Sequence, residues 1–343
     1  MASAGLGSSL SQGAPARPQR KIRVGALNVG AMTFWPIWAE ILSPKGKFGG
    51  NLLNMEITHC WDINPKLAAE FAGKYDCVAV SKYDGMIGKV DAIVFGGLYE
   101  VPWQHLLAKP YIEARVPTYL SRPFSYRLRD IDFILNLAAK HSTPLIATSV
   151  QEHYSQALYL KERLKNVGTI KAVHGIGWSE EYAGHFHVQW FILRVLGYDV
   201  DKVSLFTDNE WQATYLQETM LFKGGEGQPP YLASLQAITE NHHVYLNVIG
   251  DKGTESTSMD RSPDERETLY FYFAPQLLDM QRTFEGANYQ PFEVIRKKTQ
   301  IFLAGYYSHL EKGGSLVSVD SVPMDWAARP FKPGLIDESM FRR

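Results

Sequence analysis

Two cysteines, Cys60 and Cys77, are all that this chain of 343 residues contains. Two thiols build no disulfide framework, so a reducing compartment, the cytoplasm, is the expected setting. No apolar run approaches the roughly 20 residues needed to span a bilayer, and no membrane partner is expected. Basic blocks are missing as well. Thirty-five Lys and Arg face 36 Asp and Glu, for a formal net charge of −1. That balance lends no electrostatic support to a nucleic-acid or anionic-membrane partner. Repeats, heptads and low-complexity tracts are also absent.

What is present is an apolar fraction of 45 %, enough for sizeable cores, over a length that predicts two domains. Residues 1–20 are small, polar and proline-bearing, without the charged start and apolar core of a signal peptide. They are expected to form a disordered tail. The organising stretch is 22–33, an apolar strand (22–27) followed by the turn Asn28-Val29-Gly30-Ala31-Met32-Thr33 and a helix-compatible run, 35–42. Strand, glycine-bearing turn and helix in that order open a βαβ mononucleotide unit. The N–H groups at the head of its helix can hold a diphosphate. Against the pattern Gly-x-Gly-x-x-Gly, Gly30 supplies the middle glycine. Asn28, tolerant of left-handed angles, stands in for the first, and Thr33 fits poorly in the last place. An ordinary strand–turn–helix is the competing reading.

Strand 55–62 ends on Asp62, where a dinucleotide fold places its ribose-hydroxyl acceptor. The glycine-rich loop 43–54 explains why this acid comes later than the usual spacing of about 20 residues. Asp62 also suits a cap for the helix 65–74. Strands at 90–97, 118–120 and 144–148 alternate with helices at 103–114 and 128–141. This rhythm predicts an α/β Rossmann domain over 21–148, with a parallel sheet covered on both faces. From 149 to 320 the rhythm changes. After helix 155–165 and strand 170–178 comes a helix at 188–196, then strands near 203–207, 213–222, 231–239 and 243–249. Helices at 276–285 and 292–311 close the run. This is the pattern of an α+β domain with an open, mainly antiparallel sheet. Residues 321–343 read as an irregular C-terminal tail.

The order of these segments resembles the Gfo/Idh/MocA family of NAD(P)-dependent sugar and polyol oxidoreductases, from about Lys21 to Val319. Four stretches carry the resemblance: 22–33 with Cys60-Trp61-Asp62; Val90-Asp91-Ala92-Ile93-Val94; Ser121-Arg122-Pro123, where the family has Glu-Lys-Pro; and His187 followed by Phe191-Ile192-Leu193-Arg194-Val195-Leu196-Gly197. The closing run from Phe284 to Val319 is also similar. The resemblance implies hydride transfer between a nicotinamide and a small carbohydrate, which needs a base for the hydroxyl proton and a cation to polarise the oxygen. It implies catalytic roles for Arg122 and His187. It also implies cofactor contacts from Asn28, Gly30, Ala31, Met32, Asp62, Gly97, Tyr99 and Arg122. NAD is the expected cofactor, with NADP as the alternative, because Asp62 repels a 2′-phosphate and Ile63-Asn64-Pro65 offers no arginine to receive one.

The chain departs from the family pattern at three points. Arg122 keeps the charge of the family lysine but cannot give up its proton at neutral pH. Ser121 replaces the glutamate, and Ala183 stands at the aspartate of the family's Asp-x-x-x-His segment. His187 then lacks its usual carboxylate partner unless Glu180 or Glu181 moves in.

His-x-His read as an extended segment puts His185 and His187 on one side, poised for sugar hydroxyls; no metal is expected. His153, after the last Rossmann strand, would look into the interdomain cleft, and Trp178 and Tyr182 are candidate sugar-stacking platforms. Alternating apolar residues at 231–235 predict a sheet face in need of a cover, hence a homodimer or homotetramer. The leading expectation is an NAD(P)-dependent oxidoreductase of a sugar, polyol or glycoside. The alternative is a non-redox protein of the same fold, performing a lyase-, epimerase- or hydrolase-type step or only binding a ligand through the His185/His187 pair.

Overall fold

The computed structural model describes residues 20–30, 33–97, 100–179, 185–209, 213–239, 243–259, 264–287 and 289–328. The first half runs β1 (Ile22–Leu27), α1 (Trp35–Leu42), β2 (Met55–Trp61), α2 (Pro65–Tyr75), β3 (Val78–Ala79), β4 (Ala92–Phe95), α3 (Gln104–Glu113), β5 (Thr118–Leu120), α4 (Leu128–His141) and β6 (Leu145–Ala147). Its six strands are all parallel, in the order β3-β2-β1-β4-β5-β6. That is the doubly wound order with its switch point between β1 and β4. Strands β4, β5 and β6 are buried at every residue, as helices on both faces require. The expected Rossmann-type sheet is present. One detail differs. Helix α2 is capped by Asn64, whose side chain accepts the Lys66 N–H, and not by Asp62.

The second half continues with α5 (Ser155–Val167), β7 (Ile170–Ser179), α6 (Phe186–Leu196), β8 (Val200–Thr207), β9 (Tyr215–Phe222), β10 (Tyr231–Thr239), β11 (Val244–Gly250), β12 (Thr254–Met259), the short α7 (Glu265–Thr268), α8 (Ala274–Phe284), α9 (Phe292–Lys312) and β13 (Val317–Ser318). A π-helical turn, Leu269–Phe273, links α7 to α8. Seven strands form a second sheet in the order β12-β11-β7-β10-β9-β8-β13, antiparallel except where β7 meets β10. The expected mainly antiparallel sheet is therefore present, wider by β12. Helices α5, α6 and α9 pack against it.

One correction concerns this half. The alternating residues Tyr231, Ala233 and Leu235 face inward and are buried, so the chain's own helices cover that face. The outward face instead exposes Phe206, Tyr215, Leu232, Ile238 and Tyr245. The stretch after Ser321 also returns to the first domain. Ala328 N–H donates to Tyr126 O, Arg129 N–H donates to Met324 O, and Arg127 bridges to Ala327.

Helix α6, which carries His187, lies unusually close to its sheet because β7 has glycine where it crosses. A Cβ on Gly177 would overlap the Val188 side chain, and one on Gly175 would stand 2.8 Å from Ile192 Cδ1. Both neighbours are fully buried branched side chains with no room to retreat. Gly177→Ala should therefore destabilise the protein by about 1–3 kcal/mol through overpacking. Urea unfolding checks this; a midpoint equal to wild type would show that α6 can lift off β7 freely.

Candidate active site

The site is built from the C-terminal ends of β1, β4, β5 and β6 and the first turn of α6. β1 ends in Asn28, which adopts φ 60°, the left-handed angle expected of a residue standing in for glycine. Gly30 follows, and its N–H donates to Asp62 Oδ2 at 2.7 Å. Asp62 Oδ1 accepts the Asn64 N–H at 2.9 Å. A Cβ on Gly30 would stand 2.9 Å from that carboxylate and 2.6 Å from Leu67. Asp62 thus lies against the glycine turn, as expected of the second-strand acid, although it is only 5 % exposed. Burial raises its pKa, and the N–H groups of Asn64, Gly30 and Val29 oppose the shift.

The head of α1 is closed by its own chain. Phe34 N–H donates to Gly96 O at 3.1 Å, Trp35 N–H to Thr33 Oγ1 at 3.2 Å, and Pro36 has no N–H to offer. Thr33 and Gly97 form an isolated bridge, tying the β1 turn to the end of β4. The expectation that donors beyond Gly30 await a phosphate is corrected at Gly30, Phe34 and Trp35. Ala31 and Met32 lie outside the described residues, as do Tyr99 and Tyr182 and the side chain of Trp178. A Cβ on Gly97 would run into the carboxyl of Glu100 and the Cβ of Asn28. Glu100 is buried there, and burial, followed by the charge of Asp62, pushes its pKa up to about 8.

Arg122 follows β5 and is 1 % exposed. Gln104 holds its turn from three sides: Nε2 donates to Ser121 O and to Phe124 O, both at 3.0 Å, and Oε1 accepts the Ser121 N–H at 2.7 Å. The guanidinium lies flat over Phe34, its carbon 3.3 Å from the ring centroid. The same Phe34 ring meets His187 edge-on at 6.4 Å between centroids. One aromatic ring therefore joins the cation of the first domain to the imidazole of the second.

His187 is buried in the first turn of α6. Its Nδ1 stands 2.7 Å from Ser149 Oγ and 2.7 Å from Gln151 Oε1. An amide oxygen only accepts, so the contact with Gln151 Oε1 calls for a proton on Nδ1. Ser149 and Gln151 both stand at Nδ1; Glu180 and Glu181 lie outside the described residues. Ser149 begins a Ser-x-x-Glu sequence whose Glu152 Oε2 accepts the Ser149 N–H at 2.8 Å. That capping-box spacing is legible in the sequence, whereas nothing local marks Phe34, Gln104 or Tyr119 as site residues.

Two expected site residues lie elsewhere. His185 is not on an extended segment but at the helical N-cap of α6, φ −58° and ψ −22°. Two residues apart on a helix, the imidazoles of His185 and His187 diverge by about 200°. The His185 ring stacks on Phe302 and packs on Tyr306, each at 5.7 Å. Neither nitrogen has a partner among the described residues, and burial drives its pKa down to about 3. His153 does not look into the cleft either. Its Nδ1 bonds Asp279 Oδ2 at 2.8 Å and its Nε2 bonds Thr148 Oγ1 at 2.9 Å, joining α8 to the end of β6. Among the described residues, no group of three or more His, Cys, Asp or Glu could hold a metal ion, and no helix is long and apolar enough to cross a membrane.

Two buried polar groups at this edge, Ser121 Oγ and Gln151 Nε2, have no hydrogen-bond partner among the described residues, while the Asn28 amide and the Glu100 carboxyl face each other. Orphans of this kind are rare in folded proteins and call for a polar ligand or water. The two ends of a dinucleotide fit what is here, with Asp62 for the adenosine ribose and the orphaned groups beside Arg122 for the nicotinamide carboxamide. The diphosphate fits less well. It meets engaged N–H groups, the Glu100 carboxyl and the Phe34 ring.

No protein-family model matches the sequence, and neither does any curated protein. Solved structures do. A probable dehydrogenase from Thermotoga maritima superposes with a TM-score of 0.70 at 16 % identity, over 88 % of this chain and 100 % of that one. The scyllo-inositol dehydrogenase of Lactobacillus casei, solved with bound NAD(H) and scyllo-inositol, gives 0.71 at 14 % over 88 % and 100 %. The myo-inositol 2-dehydrogenase of Lactobacillus plantarum gives 0.70 at 14 % over 87 % and 99 %. At these identities the likeness establishes a shared two-domain fold, spanning essentially the whole of each neighbour.

The buried acids make a pH prediction. Glu100 and Glu218, the latter fully buried and bonded to Gln189, both have pKa values pushed up by burial to about 8 from an ordinary 4.5. Between these values the unfolded chain has lost protons that the native chain keeps, so stability falls as pH rises. His185 acts in the opposite sense only below 6.5. From pH 6.5 to 8 the urea midpoint should decline, and Glu100→Gln and Glu218→Gln should each flatten the decline. An unchanged slope in both variants would show that neither carboxyl is held neutral.

Proposed function

We propose that this chain is a divergent Gfo/Idh/MocA-type oxidoreductase that uses a nicotinamide dinucleotide on a small polyhydroxylated compound, a sugar, polyol or glycoside. One observation carries the reading: Arg122 and His187 come from different domains and meet at one aromatic ring, at the strand ends where an open parallel sheet binds its ligands. The shared fold with dehydrogenases, one of them solved with NAD(H) and an inositol, supports it. In this reading Asp62 accepts the ribose hydroxyls, and its charge favours NAD over NADP. A bound nicotinamide supplies the hydride acceptor. The chain's own residues do the rest. Arg122 polarises the substrate oxygen without ever giving up its proton, and the Nε2 lone pair of His187 takes the hydroxyl proton.

A second reading has a specific observation in its favour. The closed head of α1 and the Phe34 ring over Arg122 fill ground that a dinucleotide would use. A non-redox step, or ligand binding alone, would need only Arg122, His187 and the orphaned polar groups. The divergence of His185 removes the histidine pair from this alternative.

Titration with NADH and NADPH, followed by fluorescence and thermal shift, separates the two. NADH should bind more tightly than NADPH, and at 100 times its dissociation constant should add about 2.7 kcal/mol of stability. Phe34→Ala should tighten NADH binding by about an order of magnitude, in line with the up to ~2 kcal/mol of a desolvated cation–π contact. Arg122→Ala and His187→Ala should each abolish turnover of a polyol panel while leaving the fold intact. If neither wild type nor Phe34→Ala binds either dinucleotide at millimolar concentration, the redox reading falls and the second one stands.

We also propose that the outward face of the seven-stranded sheet pairs copies of the chain into a homodimer or homotetramer. Phe206, Tyr215, Leu232 and Ile238 are each 46–54 % exposed on it, an apolar display that a second copy could cover. Light scattering at micromolar concentration should give a multiple of 38.7 kDa, and Ile238→Asp should lower it; a monomeric mass for wild type would refute the pairing.

A further inference from the structure

Lys298, on α9, has no exposed side-chain surface, and Glu152, its partner after β6, is 1 % exposed. All three ammonium protons have acceptors: Glu152 Oε1 at 2.8 Å, Glu152 Oε2 at 2.9 Å and Ala147 O at 3.0 Å. The ammonium also lies 5.0 Å from the Phe124 ring and 4.9 Å from Trp190, two rings stacked on each other. Burial lowers the Lys298 pKa, and Glu152 opposes that shift.

The contacts continue to the site. Glu152 Oε2 accepts the Ser149 N–H, and Ser149 Oγ and Gln151 Oε1 both stand at His187 Nδ1. Stability alone does not explain such a pair, because apolar side chains of matching volume commonly do as well in its place. Nor is it needed to anchor α9, which already packs against β8 and α4. What the pair does and an apolar pair could not do is fix the backbone of the turn through a charged acceptor.

We propose that Lys298 and Glu152 are positioning residues, which hold the turn Val150–His153 and its leading Ser149 so that Ser149 and Gln151 keep the proton of His187 on Nδ1 and its lone pair on Nε2. A free imidazole populates both tautomers; only one of them presents a base on the nitrogen away from Ser149. The inference rests on the reading of His187 as the base, and its test observes the imidazole itself.

Full-length protein labelled with 15N-histidine reports the tautomer through two-bond proton–nitrogen correlations, with the His187 signals assigned by their loss in His187→Gln. Wild type should show the proton on Nδ1 in the absence of any ligand. The double variant Lys298→Met/Glu152→Leu leaves no unpaired charge behind. It should fold, with at least a threefold shift of the tautomer ratio toward Nε2–H. Glu152→Gln keeps an acceptor for Ser149 and removes the charge. It is read in the same way should the double variant not fold, and should shift the ratio in the same direction. A folded variant with wild-type tautomer would reduce the pair to a staple between helix and turn and overturn the proposal, as would a wild-type His187 protonated on Nε2. Failure of the functional reading shows separately, as His187→Gln retaining full turnover, and leaves the tautomer result standing.

Discussion

A polar atom taken out of water has to find a partner, and at the C-terminal edge of the parallel sheet that requirement shapes its surroundings. The carboxylate of Asp62 is satisfied by the backbone of the glycine turn, the Ser121 turn by Gln104, and the His187 imidazole by Ser149 and Gln151. Each of these partners comes from a different part of the chain. The edge is therefore not a loop decorated with functional groups but a junction where β1, β2, β5, β6 and α6 hold one another. Two groups, Ser121 Oγ and Gln151 Nε2, are left over. The same rule that builds the junction marks those two as places for a polar ligand or water.

The glycines of β7 and the last helix serve this junction from the second domain. Without the close approach at Gly177, α6 would stand further from the sheet and His187 would withdraw from the Ser149 turn. Without Lys298, the carboxylate that receives the Ser149 N–H would be buried and unpaired, a far more costly arrangement than the ion pair. The two domains are thus coupled through side chains at the site itself as well as through their packing.

Much of the scaffold was legible from periodicity. The β1, β5 and β10 segments, the helices α1 and α4, and the change from parallel to mainly antiparallel pairing all follow from apolar spacing and turn residues. β12 was not, because Thr254–Met259 is polar on one face and exposed over much of its length, a pattern that hairpin turns share. The site was legible as positions but not as contacts. Asn28, Asp62 and Arg122 stand at strand ends, and His187 in the first turn of α6, where their order in the chain implies. The orientation of His185 was not readable, because whether His-x-His is extended or helical depends on where α6 begins. That boundary is set by packing against Phe302 and Tyr306, more than a hundred residues away. His153 shows the same limit: its partner Asp279 is 126 positions along the chain.

Arginine at position 122 narrows the chemistry that this edge can perform. A lysine there could pass a proton, whereas a guanidinium keeps its charge at any accessible pH and can only attract. In the proposed reaction, proton movement then falls to a group other than Arg122, for which His187 is the candidate. Phe34 then controls access. Its ring covers the guanidinium at 3.3 Å and shields it from water, so that the positive charge is already desolvated before any ligand arrives. Desolvation of a charge is the expensive part of building a polar site. A ligand that displaces Phe34 meets a cation whose water has been removed and that stands by the Tyr119 hydroxyl, on a turn fixed by Gln104. What it must offset is only the contact between ring and guanidinium.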